Sequence, residues 1–109
     1  MTMLKEAAIT FEREKVFEDF RNARYDFYLP TMNILIEYDG MQHFKWITFF
    51  NKTRTEFLKY QEKDRQKNSY ALAHNYLLYR IPEWELSNIN SIADLFSPKF
   101  MVKTRWHND

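Results

Sequence analysis

Residues 25–44, YDFYLPTMNILIEYDGMQHF, set Asp26, Glu37, Asp39 and His43 among apolar side chains, with no Lys or Arg in the stretch. Carboxylates gathered in a partly dry setting raise one another's pKa unless a positive group stands among them, so the cluster calls for a cation. Two sources can supply it. Lys67, further along the chain, would make a buried ion-pair network that ties a helix to a sheet. A hard divalent cation would serve an all-oxygen set equally well. Mg²⁺ takes one or two carboxylates and completes its shell with water and substrate phosphate, and Mn²⁺ accepts similar ligands. His43, four residues past Asp39 across a glycine, adds an imidazole that is neutral near pH 7. Carboxylates, a metal, an imidazole and a lysine are the parts for hydrolysing a phosphodiester. The metal would activate water, His43 would take its proton and Lys67 would steady the phosphate. His74 and His107 have no such company in the sequence and are assigned nothing.

Several elements must position these groups. The alternation in ARYDFYLP predicts a strand with Tyr25, Phe27 and Leu29 on one side and Asp26 and Tyr28 on the other, ended by Pro30. ILIEYD predicts a second strand with Ile34, Ile36 and Tyr38 on one face and Leu35, Glu37 and Asp39 on the opposite one, so that two carboxylates share a side. Gly40, the only glycine, follows at once and permits a tight turn or a close ligand. Thr53 and Glu56 have capping-box spacing at the start of a helix running to His74 or Asn75. Its inward stripe, Phe57, Tyr60, Asp64, Lys67 and Ala71, sets an acid and a base in a face otherwise aromatic or small. YLLYRI reads as a buried strand closed by Pro82, and SIAD with Leu95 and Phe96 as a short helix capped by Ser91. Upstream, between residues 4 and 20, ITFEREKVF is a further strand candidate. The order implies an α/β fold, a small mixed central sheet flanked by helices, in one domain over residues 1–109. The expected core covers about 9–96, with a C-terminal tail at 97–109.

Composition narrows the function classes. A chain of 109 residues that is 45% hydrophobic and 18% aromatic has the material for one core and is unlike a disordered segment. No apolar run approaches the ~20 residues needed to cross a bilayer, so no membrane partner is expected. The start, MTMLKEAAITF, lacks a long apolar stretch, and the absence of cysteine removes disulfides and thiolate zinc sites. The expected location is the cytoplasm, that of the host cell if the protein is phage-encoded. A formal net charge of +1 rules out whole-molecule attraction as a basis for nucleic-acid binding and leaves only a local patch. From Lys45 to Lys67 seven Lys or Arg residues stand against Glu56, Glu62 and Asp64, which suits a solvated helix face and a phosphate track alike.

The motifs DFYLP, IEYDG, QH, DRQKN and RIP occur in this order within residues 9–86. Together they resemble the nuclease domain of phage-type homing endonucleases related to the very short patch repair (Vsr) endonuclease, in the PD-(D/E)xK superfamily. The resemblance implies a restriction-endonuclease-like core and Mg²⁺-dependent cleavage of double-stranded DNA, with a homodimer as one way to cut both strands. It makes Asp26 the first acidic ligand, with Glu37 and Asp39 at the second acidic motif, so that these three hold the metal. It makes His43 the general base and Asp64 a further acidic position, beside Lys67 and Asn68. Gln42 would orient His43 or touch a phosphate, and Gln42, Lys45, Lys52, Arg54, Arg65 and Asn68 are the expected DNA contacts. The chain departs from the pattern in three places. Tyr25 replaces the proline of the superfamily's name, and Asp39 replaces its lysine, whose task passes to His43 or Lys67. The glutamate that relatives carry upstream of the first strand has only Glu6 as a counterpart. Two other readings stand beside this one. The first is a mismatch-directed nicking repair enzyme that wedges Trp46 or Trp106 into a base step. The second is a DNA-binding module of the same fold without catalysis.

Overall fold

The computed structural model describes residues 8–39 and 54–103, the Phe57 side chain excepted. The expectations for Glu6, Gly40, Gln42, His43, Lys45, Trp46, Lys52, Thr53, Trp106 and His107, and for the Phe57 side chain, lie outside the described residues.

Alternating polar and aromatic residues build a first hairpin. Strand β1, Glu12–Phe17, turns through Glu18 and Asp19 into β2, Phe20–Leu29, with Phe17 opposite Phe20. Pro30 ends β2 as expected, because it has no N–H to donate to a ladder. The chain closes a turn with the Met32 amide on the Leu29 carbonyl, 3.2 Å, and Asn33 takes the left-handed conformation at φ 55° before β3, Ile34–Asp39. Helix α1 spans Arg54–Ala73 and carries Glu56 in its first turn, where an acid suits the positive end of the helix. Asn75 stops it at φ 61°, and the Tyr76 amide reaches back to the Ala71 carbonyl at 2.9 Å. Strand β4 is Leu77–Pro82. A 3₁₀ turn at Glu83–Asn88, the short helix α2 at Ile92–Leu95 and a second 3₁₀ turn at Pro98–Phe100 complete the described chain. Asp94 accepts hydrogen bonds from the Asn90 and Ser91 amides and fixes the start of α2. Among the described residues no helix is long and apolar enough to cross a membrane.

The four strands form one mixed sheet in the order β1-β2-β3-β4. The first two pairings are antiparallel hairpins; β3 and β4 are parallel, with α1 in the connection that a parallel pair requires. The α/β architecture is therefore the one expected. Each sheet face buries its own cluster. Phe27, Leu29, Ile34, Ile36, Tyr79 and Ile81 pack under Leu95 and Phe100, while Tyr25, Leu35 and Leu78 pack with Ala71 of α1. Each such side chain fully removed from water contributes roughly 1.5–3 kcal/mol.

Three expectations are corrected. Tyr25 does not share a face with Phe27 and Leu29 but packs with the α1-side cluster; β1 departs from strand geometry at this level, where Glu14, at φ 51°, lies between the Arg13–Phe27 and Lys15–Tyr25 pairs. Tyr60 is 38% exposed, so the inward stripe of α1 is polar, made of Asp64, Lys67 and Asn68 ahead of Ala71. The core also extends past residue 96: Phe100 and Val102 are buried, and the Val102 amide donates to the Leu78 carbonyl at 2.8 Å along the open edge of β4.

Candidate active site

Alternation along β3 sends Glu37 and Asp39 to the α1 side, as the sequence predicts, and both are almost wholly buried, at 4% and 1% exposure. Two buried charges need partners. Helix α1 and strand β4 bring them, in two separate arrangements.

Asp39 meets Arg80. Nη1 of the guanidinium donates to both oxygens of Asp39, at 2.9 and 3.2 Å, while Nε donates to Oδ1 of Asn68 at 2.7 Å. Nη2 donates to the Asp64 main-chain carbonyl at 3.3 Å and lies 3.5 Å from Asp64 Oδ1. Burial works against the charge on Arg80, but Asp39, Asp64 and Glu37 outweigh it and raise its pKa further. A planar fork with several fixed acceptors is the geometry a guanidinium satisfies best.

Glu37 meets Lys67 instead. Nζ of Lys67 stands 2.5 Å from Glu37 Oε1, a short buried ion pair, and 5.2 Å from the centre of the Tyr25 ring. The Tyr25 hydroxyl donates to the main-chain carbonyl of Lys67 at 2.8 Å and pins that turn of α1 to β2. Burial pushes the Glu37 carboxyl up to about 7; Lys67 pulls it down, Asp26 raises it and Arg80 lowers it. Asp26 is the neighbour one step beyond the Phe27–Ile36 pair, where the β2–β3 ladder ends. Its Oδ2 accepts the Tyr38 amide at 2.8 Å in place of a ladder bond. Asp26 and Lys67 both line an open cleft of about 310 Å³.

The structure thus brings together Asp26, Glu37 and Lys67, and separately Asp39, Asp64 and Asn68. Asn68 is fully buried on Arg80, which assigns it to the interior network rather than to a solvent-facing phosphate contact. Asp39 is likewise committed to Arg80. Arg54 is exposed at the start of α1, and Arg65 lies 3.8 Å from Glu62 on the same helix. Sequence reasoning missed Arg80 and Glu14. A lone arginine inside the apolar run LLYRIP was a usable sign of the first, since such a residue is buried only with partners. Glu14 lines the same cleft as Asp26 from a left-handed residue in β1, φ 51°, which no pattern in EREKVF marks.

No family model matches the chain, and no solved structure matches it. A protein of Invertebrate iridescent virus 6, described as uncharacterized protein 307L, is 33% identical over 61 residues, which is 56% of this chain and 31% of the viral protein. The chain therefore spans less than a third of that relative's length.

Proposed function

We propose that this chain is a metal-dependent DNA endonuclease with a restriction-endonuclease-like core, as the motif resemblance implies. The observation that carries the reading is the meeting of Asp26 and Glu37, from neighbouring strands, with Lys67 of α1 beside an open cleft. Paired carboxylates and a lysine beside a cleft are what phosphodiester hydrolysis needs from a protein.

A divalent cation fits part of the expected ligand set. Among the described residues no group of three or more His, Asp or Glu is arranged to hold a metal. Asp39 does not fit, since Arg80 occupies both its oxygens. Asp26 and Glu37 fit by type: they are neighbouring carboxylates, and two carboxylates are the usual protein share of a Mg²⁺ shell, with Glu37 Oε1 already held by the Lys67 ammonium. Bound there, Mg²⁺ would supply Lewis acidity and a more acidic water. The chain's own residues do the rest. Glu37 holds the Lys67 ammonium beside the cleft, from which it would steady a substrate phosphate, and the Tyr25 hydroxyl fixes the turn that carries it. His43, outside the described residues, is the proposed proton acceptor, four residues beyond the end of β3.

Incubation with supercoiled plasmid tests the reading. Nicking or linearisation that requires Mg²⁺ or Mn²⁺ and falls by about 100-fold or more in His43→Ala supports it. Asp26→Asn should also remove metal-dependent cleavage, and a fully active Asp26→Asn protein would overturn the ligand assignment.

A further inference from the structure

The cleft beside Lys67 is one half of a longer groove. A second open cleft, of about 430 Å³, adjoins it, and Glu14 and Asp26 line both. Basic residues flank this acidic centre on either side: Arg24 and Lys63 in the first half, Arg13 in the second. We infer that the groove over the β1–β2 hairpin is the track for the DNA backbone, with Arg24 and Lys63 taking phosphates on one side of Asp26 and Arg13 on the other. The inference rests on the nuclease reading and deepens it. It also moves the phosphate-binding surface away from Arg54 and Arg65.

Three features support it. Lys63 donates to the Asn22 main-chain carbonyl at 2.6 Å and so ties α1 to the hairpin, which gives the groove a wall made of two elements. Arg24 pairs with Glu14 at 3.7 Å, with both side chains about two-thirds exposed. An ion pair that exposed contributes at most about 1 kcal/mol, so an incoming phosphate displaces Glu14 at little cost. Arg13 lies over the Phe27 ring at 6.0 Å, which orients its guanidinium without occupying its donors. A strand laid along the groove would thus meet cations at both ends and Asp26 in the middle, where the reacting phosphate belongs.

The test is binding of a fluorescein-labelled duplex of about 20 base pairs, followed by anisotropy across a salt series in EDTA, so that no cleavage intervenes. Removing one cation that neutralises a phosphate should lower the slope of log K against log salt by about 1, so the Arg24→Ala/Lys63→Ala double variant should lower it by about 2. Arg54→Ala/Arg65→Ala should keep the wild-type slope. Glu14→Gln should bind more tightly than wild type, because it frees Arg24 and removes a repulsive charge; a general loss of folding would not give that sign. A double variant with the wild-type slope, or a slope carried by Arg54 and Arg65, overturns the track. So does a wild-type protein that does not bind the duplex. In each of these cases metal-dependent plasmid cleavage still decides the nuclease reading separately.

Discussion

Glu37 and Asp39 leave the same face of β3 two residues apart and are buried to nearly the same degree, yet they live in different electrostatic settings. Asp39 is locked. A guanidinium grips both its oxygens, and Asn68 and Asp64 hold that guanidinium in turn. Glu37 is poised. Its partner is a single ammonium rather than a fork, and its carboxyl is pushed up to about 7. The contrast follows from the counterion. Arg80 stands opposite Glu37 in the β3–β4 register, but its fork reaches Asp39 and α1, which leaves Glu37 to Lys67. A fixed fork makes structure, while a movable point charge at a cleft leaves a carboxylate available for chemistry.

The largest effect should come from breaking the locked side. Arg80→Met strands Asp39 in the interior and should cost about 3–5 kcal/mol in urea unfolding, with much of it recovered in Arg80→Met/Asp39→Leu. A cost near zero would mean that Asp39 is not committed to Arg80. Lys67→Met should cost less, about 1–3 kcal/mol, because Glu37 can take a proton and shed its charge. That cost should be greater at pH 8 than at pH 6, and a pH-independent cost would erase the difference between the two sides. Asn68→Ala, which removes one acceptor from a buried cation, should cost about 1.5–3 kcal/mol by the same measurement.

The pH dependence sharpens the contrast further. The folded pKa of Glu37, about 7, lies above its ordinary value of 4.5, so the folded state binds more protons than the unfolded state between these values. The Glu37 contribution is therefore fully present below about pH 4.5 and is lost as pH rises through about 7. Glu37→Gln should flatten that fall in a series of urea midpoints, and an unchanged slope would remove Glu37 as its source. Asp26→Asn should change stability least, by under about 0.5 kcal/mol, since an amide oxygen still accepts the Tyr38 amide. Its expected loss of plasmid cleavage would then reflect chemistry rather than folding.

Much of this was legible in the chain. Pro30 marked the end of β2, period-two alternation put Glu37 and Asp39 on one side, and the misplaced Asp64 and Lys67 marked the inward face of α1. The reading of the acids as an ion-pair network tied to Lys67 holds for Glu37. The Tyr25 face was not legible, because nothing in EREKVF marks the left-handed Glu14 that lies between the Arg13–Phe27 and Lys15–Tyr25 pairs. Nor was the role of Phe100 and Val102, whose burial depends on an open edge of β4 that exists only once the sheet has formed.

The sequence by itself determined the main strands and the long helix, their order and which side chains of β3 share a face, because those follow from local backbone geometry with periods of two and 3.6. Only the tertiary structure decided which charge meets which. Arg80 lies 41 residues from Asp39, and Lys67 and Glu37 belong to different elements. In a low-dielectric interior, the few ångströms that separate one carboxylate from a fork and the other from an ammonium fix their separate characters.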